Sequence, residues 1–171
     1  MRQPTPEIIK AFIDELGRQC DFPAEIFIFG GSALILIGSP RSTIDIDYTL
    51  GTQTAHTDLL RQTIKRVSGE MNLDVDESIP SEFMPLPPGA AARHQIVFTS
   101  GQVKAYIFDV YSIALSKLER GFKSDIEDVL FLIHHQHIAL DKLEQYLNVV
   151  INGSEEPQQL RANFNRIAGR G

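Results

Sequence analysis

The chain has few of the residues that build disulfide frameworks, membrane spans and polyanion-binding surfaces. Its 171 residues include one cysteine, Cys20, and no tryptophan. A single thiol excludes an intrachain disulfide. Lys and Arg total 16 against 22 Asp and Glu, a formal net charge of −6, which gives no global attraction for nucleic acid. No apolar run approaches the roughly 20 residues that span a bilayer.

These absences predict a cytoplasmic protein without a membrane partner. The N-terminus lacks the basic region and apolar core of a secretory signal, and nothing favours an oxidising compartment. The 43% of hydrophobic residues are typical of a folded protein with a real core. We expect a single domain over residues 1–171, in which an α/β core of about residues 1–109 precedes a helical part of about residues 110–171.

Residues 25–50 contain the pattern around which the functional interpretation is built. The apolar run Ile26–Phe29 predicts a buried strand that stops at Gly30-Gly31. Ser32 and the apolar run Ala33–Ile37 then predict a short buried helix. Backbone N–H groups that no side chain covers would lie at the start of this helix, which is a natural phosphate site. Gly30, Gly31 and Ser32 are therefore predicted to cradle a phosphate.

A pair of carboxylates follows on the next predicted strand. Asp45 and Asp47 share one face, and Ile44, Ile46 and Tyr48 share the other. Carboxylates at positions i and i+2 stand about 6–7 Å apart along a strand, so their oxygens can converge on one ion. The expected counterion is a divalent cation with oxygen ligands, Mg²⁺ or Mn²⁺. Together with a phosphate cradle, the pair indicates metal-assisted phosphoryl-type transfer.

The motif Phe29-Gly30-Gly31, thirteen further residues and the motif Asp45-Ile46-Asp47 resemble the signature of the nucleotidyltransferase superfamily, which has the polymerase-beta-like fold. The resemblance implies an α+β protein with a mixed β-sheet flanked by helices and a helical C-terminal part. It also implies a nucleoside triphosphate as substrate, with Mg²⁺ or Mn²⁺ held by the two aspartates.

The superfamily resemblance implies a third carboxylate on a neighbouring strand, which completes the metal site and often activates the attacking hydroxyl. Residues 72–77 alternate again, with Asp74 and Asp76 on one face. Either could fill that place. Asp74 is favoured because Asp76 adjoins Glu77 and a turn at Ser78, where solvation is the simpler explanation. The alternative is an edge strand with outward-facing charges.

Two polar segments near these motifs allow a functional and a structural interpretation. Arg41 and Ser42 precede the carboxylate pair, where they could contact the nucleotide or form a polar turn. Residues 79–93 contain four prolines and Gly89, so we expect an irregular loop. This loop could be a wall of the nucleotide or acceptor pocket, or a connector. Arg93 at its end could meet a phosphate or lie at the surface.

The second half of the chain is predicted to begin with a hairpin and continue with helices. Strands at Ile96–Thr99 and Val103–Phe108 are joined by Ser100-Gly101. Asp109 most simply caps the next helix, Val110–Glu119.

A second resemblance covers the following residues. Lys117 near the end of that helix, a short link and Asp125 and Asp128 opening the next helix would, on their own, be solvated helix ends with Ser124 as the N-cap. Their order, however, resembles the later motifs of the abortive-infection (AbiEii-like) branch of nucleotidyltransferases. By position, the resemblance implies that Lys117 faces the triphosphate and that Asp125 is the active-site aspartate, with Asp128 as the nearby alternative.

The resemblances lead to two functional hypotheses. The first is an NTP-dependent nucleotidyltransferase that acts on an RNA 3′ end or a protein hydroxyl, related to toxin–antitoxin systems and with a cognate antitoxin as a partner. The chain is shorter than the better-described toxins of that branch, so the acceptor is open. The alternative is a catalytically inactive member that serves as a binding or antitoxin-like partner.

Overall fold

A computed structural model of the protein describes residues 1–51 and 54–170. The described residues form a mixed five-stranded sheet with flanking helices, which confirms the predicted α+β fold class. The strands are β1 (Ala24–Ile28), β2 (Asp45–Leu50), β3 (Asp74–Glu77), β4 (Gln95–Ser100) and β5 (Val103–Ile107). The helices are α1 (Pro6–Gln19), α2 (Gly30–Leu36), α3 (Thr57–Met71), α4 (Pro80–Phe83), α5 (Val110–Arg120), α6 (Lys123–His134), α7 (Leu140–Val150) and α8 (Pro157–Ile167).

Strand β1 lies at the centre of the sheet, whose order is β3-β2-β1-β5-β4. It runs antiparallel to β2 and parallel to β5, while β2 is parallel to β3 and β4 is antiparallel to β5. Parallel neighbours require a long crossover connection, and α3 supplies the one between β2 and β3. The predicted hairpin is β4–β5. Because β2 lies between β1 and β3, residues from all three strands can meet on one face.

Contacts within the chain define two compact units. The sheet unit consists of Met1–Ser78 and His94–Phe108, and the helical unit consists of Ile79–Arg93 and the chain from Asp109 onward. Residues 79–93, which separate β3 from β4, thus belong with the C-terminal helices. The number of domains stays a prediction.

The sheet unit is held together by helices with one apolar face. Thr5 caps α1, since its hydroxyl accepts a hydrogen bond from the Ile8 N–H at 3.3 Å and Pro6 occupies the first turn. Although a glycine often ends a helix, α1 continues past Gly17 to Gln19. A Cβ on Gly17 would lie 2.3 Å from the Ser100 Oγ, so this glycine lets α1 approach strand β4 closely.

The helical unit is arranged around α5, which contacts α6, α7 and α8. Asp109 caps α5 as predicted, because its carboxylate accepts hydrogen bonds from the Tyr111 and Ser112 N–H groups. Asn163 on α8 donates to the Leu118 carbonyl at 2.7 Å. Among the described residues, no helix combines the length and the apolar character needed to cross a membrane.

Two local predictions in the helical unit are wrong. Residues 79–93 are not irregular throughout, because Pro80 starts the short helix α4 and a 3-10 helix spans Ala90–Arg93. Proline excludes the interior of a helix but suits its first turn. Ser124 is not the N-cap of α6, which begins at Lys123. The capping position is taken by Phe122, two residues before Ser124, and no side chain caps the helix.

Candidate active site

The turn between β1 and α2 requires glycine for two reasons. Gly30 has a φ of +59°, which side chains rarely adopt. A Cβ there would also lie 2.0 Å from the Asp47 Oδ2. A Cβ on Gly31 would lie 2.9 Å from the Thr43 Oγ1. The glycine pair therefore brings backbone directly against the carboxylate of Asp47 and the hydroxyl of Thr43.

The two predicted metal-binding aspartates alternate with core residues along β2. Asp45 and Asp47 are partly exposed, while Ile46 and Tyr48 between and after them are buried. The Thr43 hydroxyl donates to the Asp45 Oδ1 at 3.1 Å, which fixes that carboxylate. The prediction that Ile44 shares the buried face with Ile46 and Tyr48 is wrong. It precedes β2 and is 76% exposed, because the strand pattern begins only at Asp45.

Ser32 connects α2 to β2. Its hydroxyl is fully buried and donates to the Asp45 carbonyl oxygen at 2.7 Å. The hydroxyl thus holds the start of α2 against the strand that carries the aspartates. The phosphate contact predicted for Ser32 stays a prediction.

A cation lies beside the glycine pair. The guanidinium carbon of Arg41 lies 3.3 Å from the position that a Cβ on Gly31 would take. Arg41 is partly exposed, and its Nε donates to the Ser42 carbonyl at 3.3 Å. Ser42 itself is exposed. The structure therefore brings Arg41 to the glycines, and the nucleotide contacts predicted for Arg41 and Ser42 stay predictions.

Thr43 is the residue of this cluster that sequence reasoning missed. As part of the segment between Arg41 and Asp45, Thr43 suggests only a polar turn, yet it is buried and touches both Gly31 and Asp45. A signal was available, because in an extended segment residues i and i+2 lie on the same face. Thr43 and Asp45 have that spacing.

The two candidates for the third carboxylate lie on the edge strand beside β2. In the parallel pairing, Asp74 is opposite Asp45 and Asp76 is opposite Asp47. Residues that face each other in register share one face of the sheet, and neighbouring strands are about 4.8 Å apart. Both residues are exposed, and the Asp76 Oδ2 accepts a hydrogen bond from the Ser78 hydroxyl at 2.9 Å. Which of them serves as a third carboxylate stays open.

The four aspartates offer oxygen donors only, which is the ligand type that Mg²⁺ and Mn²⁺ prefer. Within residues 1–51 and 54–170, no three His, Cys, Asp or Glu side chains are clustered closely enough to hold a metal ion by themselves. Mg²⁺ is commonly held by one or two carboxylates together with substrate phosphates and water. Asp45 and Asp47 fit that mode of binding.

In the helical unit, the structure brings together the residues of the second resemblance. The Lys117 Nζ lies 3.3 Å from the Asp125 Oδ1 and 2.7 Å from the Asp128 Oδ2. Arg120 Nη2 donates to the Asp125 Oδ1 at 2.6 Å. The side chains of Lys117, Asp125 and Asp128 are 3%, 4% and 7% exposed. These four residues form what is called here the lysine network.

The lysine network affects the ionisation of Asp125. Burial alone would raise the pKa of this carboxyl, but the hydrogen bonds and positive charges of Arg120 and Lys117 hold its pKa below the ordinary value. Asp125 is therefore ionised and paired. The contact between Lys117 and the triphosphate stays a prediction, as does the catalytic role of Asp125.

Arg93 is part of an internal clamp and not an open surface residue, and a phosphate contact for it stays a prediction. Its Nε and Nη2 donate to the two carboxylate oxygens of buried Asp109 at 2.8 and 2.9 Å. Its guanidinium also lies 4.4 Å from the centre of the Tyr146 ring, and its Nη1 donates to the Pro88 carbonyl. These contacts fasten the end of residues 79–93 to α5 and α7 and raise the pKa of Arg93.

A sequence model of one protein family matches residues 7–168, nearly the whole chain. The family is described as "Nucleotidyltransferase of unknown function (DUF6036)". The chain belongs to this family. Membership confirms the resemblance to the nucleotidyltransferase superfamily, which is also consistent with the fold. No curated protein and no solved structure matches the chain significantly.

Proposed function

We propose that this nucleotidyltransferase moves a nucleotidyl group from a nucleoside triphosphate to an acceptor hydroxyl, with Mg²⁺ or Mn²⁺. The observation that carries the proposal is the convergence at the β1–α2 turn. There, the side-chain-free backbone of Gly30-Gly31 adjoins a cation, Arg41, and a carboxylate, Asp47. The phosphates of a triphosphate are bound by backbone N–H groups and by positive charge, and the divalent ion that accompanies them is bound by carboxylates.

In this proposal each group has a distinct task. Gly30 and Gly31 leave room for the phosphates, and Arg41 offsets their charge. Asp45, oriented by Thr43, and Asp47 would hold the metal ion. The ion, when bound, would supply Lewis-acid stabilisation of phosphoryl charge.

The reaction requires one bond to form and one to break. The acceptor oxygen bonds to the α-phosphorus, and the bond from that phosphorus to the bridging oxygen of the β-phosphate breaks, so pyrophosphate leaves. The acceptor proton passes to a general base. Asp74 or Asp76 is proposed for this task, because the register places both on the face that carries Asp45 and Asp47.

The acceptor and the biological setting are the finer parts of the proposal. An RNA 3′ end and a protein Ser, Thr or Tyr hydroxyl are the two acceptor classes. Membership of the AbiEii-like branch, a toxin–antitoxin role and a cognate antitoxin are proposed from the order of Lys117, Asp125 and Asp128, which the structure gathers into one network.

The test is calorimetric titration of the protein with each of the four NTPs and Mg²⁺, followed by a pyrophosphate-release assay with RNA or protein acceptors. We expect divalent-dependent binding of at least one NTP. Failure of every NTP to bind would overturn the proposal. NTP binding without release of pyrophosphate in the presence of any acceptor would favour the alternative, a catalytically inactive binding partner.

A further inference from the structure

Aromatic side chains share the sheet face that carries the proposed metal-binding aspartates. Phe27 pairs with Thr49 across the antiparallel β1–β2 ladder. One step further, the Phe29 N–H donates to the Asp47 carbonyl at 3.1 Å. Residues directly opposite each other in a ladder lie on the same face. Phe27 and Phe29 are therefore on the Asp45/Asp47 face, while Ile26 and Ile28, which flank Phe27, are buried on the other.

The aromatic side chains continue from β1 onto β5. Tyr106 is the parallel partner of Phe27, and their rings are stacked with centroids 4.9 Å apart and planes 17° apart. His94 lies 4.7 Å from Phe27 and 4.6 Å from Phe108. We call Phe27, Tyr106 and His94 the aromatic row. All three are only partly buried.

Cross-strand aromatic pairs also stabilise sheets without any ligand. Two features of the aromatic row go beyond that role. Its rings remain partly exposed although the opposite face of β1 is fully packed. The row also begins beside the proposed nucleotide site, because Phe27 is two residues, about 6–7 Å, along β1 from Phe29. The ribose of a nucleotide whose phosphates lie at Gly30 can bridge a separation of that size.

The charge of this face favours a nucleoside triphosphate over an RNA strand as the source of the base. The same face carries the four aspartates, and exposed Glu25 accepts a hydrogen bond from the Tyr106 hydroxyl at 3.0 Å. Lys104, the register partner of Glu25, and Arg41 beside the glycine pair offset this negative charge only in part. The excess of carboxylates therefore repels the backbone of an RNA strand. A nucleoside triphosphate brings its own divalent cation and presents one base.

We propose that the aromatic row stacks the base of the incoming nucleoside triphosphate. This inference rests on the proposed function, because it needs the phosphates at Gly30-Gly31. Aromatic side chains stack any base through its π-face, so the row contributes affinity for nucleotides over bare polyphosphate.

The test compares two ligands that differ in the base, Mg²⁺-ATP and Mg²⁺-tripolyphosphate, by calorimetry. Phe27→Leu should weaken ATP binding about 10-fold, because the base loses one of the aromatic rings on which it stacks, and should leave tripolyphosphate binding unchanged. Tyr106→Leu should weaken the binding of ATP but not that of tripolyphosphate. Tyr106→Phe keeps the ring and should keep the affinity for ATP. Phe122→Leu removes an exposed ring of the helical unit and is the matched control.

Each contrary result has its own meaning. Unchanged ATP binding by Phe27→Leu and Tyr106→Leu, with tripolyphosphate still bound, overturns the aromatic row and leaves the proposed function standing. An equal loss of both ligands in a variant with an unchanged circular dichroism spectrum also overturns it. If Phe27→Leu weakens the binding of a single-stranded RNA but not the binding of ATP, the row binds RNA instead. If the parent protein binds neither tripolyphosphate nor any of the four NTPs with Mg²⁺, the proposed function and the row are overturned together.

Discussion

The sheet unit and the helical unit use the same charged residue types in opposite ways. At the sheet, Asp45 and Asp47 are partly exposed, and Asp74 and Asp76 are exposed. In the helical unit, Lys117, Asp125 and Asp128 of the lysine network are almost completely buried. Their carboxylates are paired with Lys117 and with the exposed Arg120. Carboxylates at the surface of a sheet stay in contact with solvent, whereas buried ones must be neutralised by the protein.

The physical reason for this contrast is the cost of burying charge. Moving an ion out of water costs several kcal/mol, and only well-placed partners offset that cost. The lysine network has such partners from two consecutive helices, so it fastens α5 to α6. This structural role is sufficient to explain why Lys117, Asp125 and Asp128 occur together. A contact with the triphosphate is a separate hypothesis, and variants can distinguish the two.

The largest effect on stability is expected from Lys117→Met. Removing the ammonium leaves Asp125 and Asp128 buried without their shared cation, which should lower the free energy of unfolding by about 3–5 kcal/mol. Guanidinium unfolding measures this change. Lys123→Met is the control, because its ion pair with Glu127 is exposed and should be worth less than about 1 kcal/mol. If the Lys117→Met protein is as stable as the parent but cannot bind NTP, Lys117 belongs to the ligand site. The contrast between an exposed sheet site and a structural lysine network would then be wrong.

The next largest effect is expected from Asp47→Asn in the sheet unit. Substitution of a residue that only hydrogen-bonds to a metal ligand already weakens metal binding about 10–100-fold. Loss of a ligand itself should therefore weaken Mg²⁺-NTP binding by about 100-fold or more. The free energy of unfolding should change by less than about 1 kcal/mol, because Asp47 is partly exposed and charge interactions in contact with solvent contribute little to stability. Calorimetry and guanidinium unfolding check both statements. Asp58→Asn, an exposed carboxylate on α3, is the control, and equal NTP binding by both variants would remove Asp47 from the site.

The fold class and the arrangement around Asp45 and Asp47 could be predicted because their signals are local. The strand, the glycine pair, the short helix and the alternation of acids with Ile46 and Tyr48 each depend on residues a few positions apart. The nucleotidyltransferase resemblance used the same stretch. It is confirmed by the family match over residues 7–168.

Contacts between distant residues could not be predicted in this way. Arg93 and Asp109 are 16 positions apart, and nothing in either neighbourhood indicates that they form a two-pronged ion pair. The burial of Lys117 depends on how α6 packs on α5. From the local rules for helix ends, Lys117, Asp125 and Asp128 are predicted to be solvated. The packing of α6 on α5 buries them in a network instead.

A smaller effect is expected from Gly30→Ala at the turn. A side chain in the left-handed region costs about 1–3 kcal/mol, and this Cβ would also displace the Asp47 carboxylate. We expect both a lower free energy of unfolding and weaker Mg²⁺-NTP binding. Gly38→Ala is a matched control, since Gly38 has a φ of +95° but no atom within 4 Å of its Cβ position. It should lose stability and keep NTP affinity. If the two variants bind NTP equally well, the position of Asp47 does not matter to the ligand.

The smallest effect concerns acid pH and the Asp125 carboxyl. Its pKa is held below the ordinary value, so the folded state favours the ionised form. The resulting stability is fully present above the ordinary Asp pKa of about 3.9 and is lost as the pH falls through the lower pKa of the folded state. One group binds at most one proton, so its slope cannot exceed about 1.4 kcal/mol per pH unit. Unfolding curves below pH 5 should therefore be less pH-dependent for Asp125→Asn than for the parent, with Asp58→Asn as the control for loss of a surface carboxylate. Equal slopes for Asp125→Asn and the parent would mean that Asp125 gains no more from ionisation in the folded protein than in the unfolded chain, and the lysine network would then not be the neutralised counterpart of the sheet site.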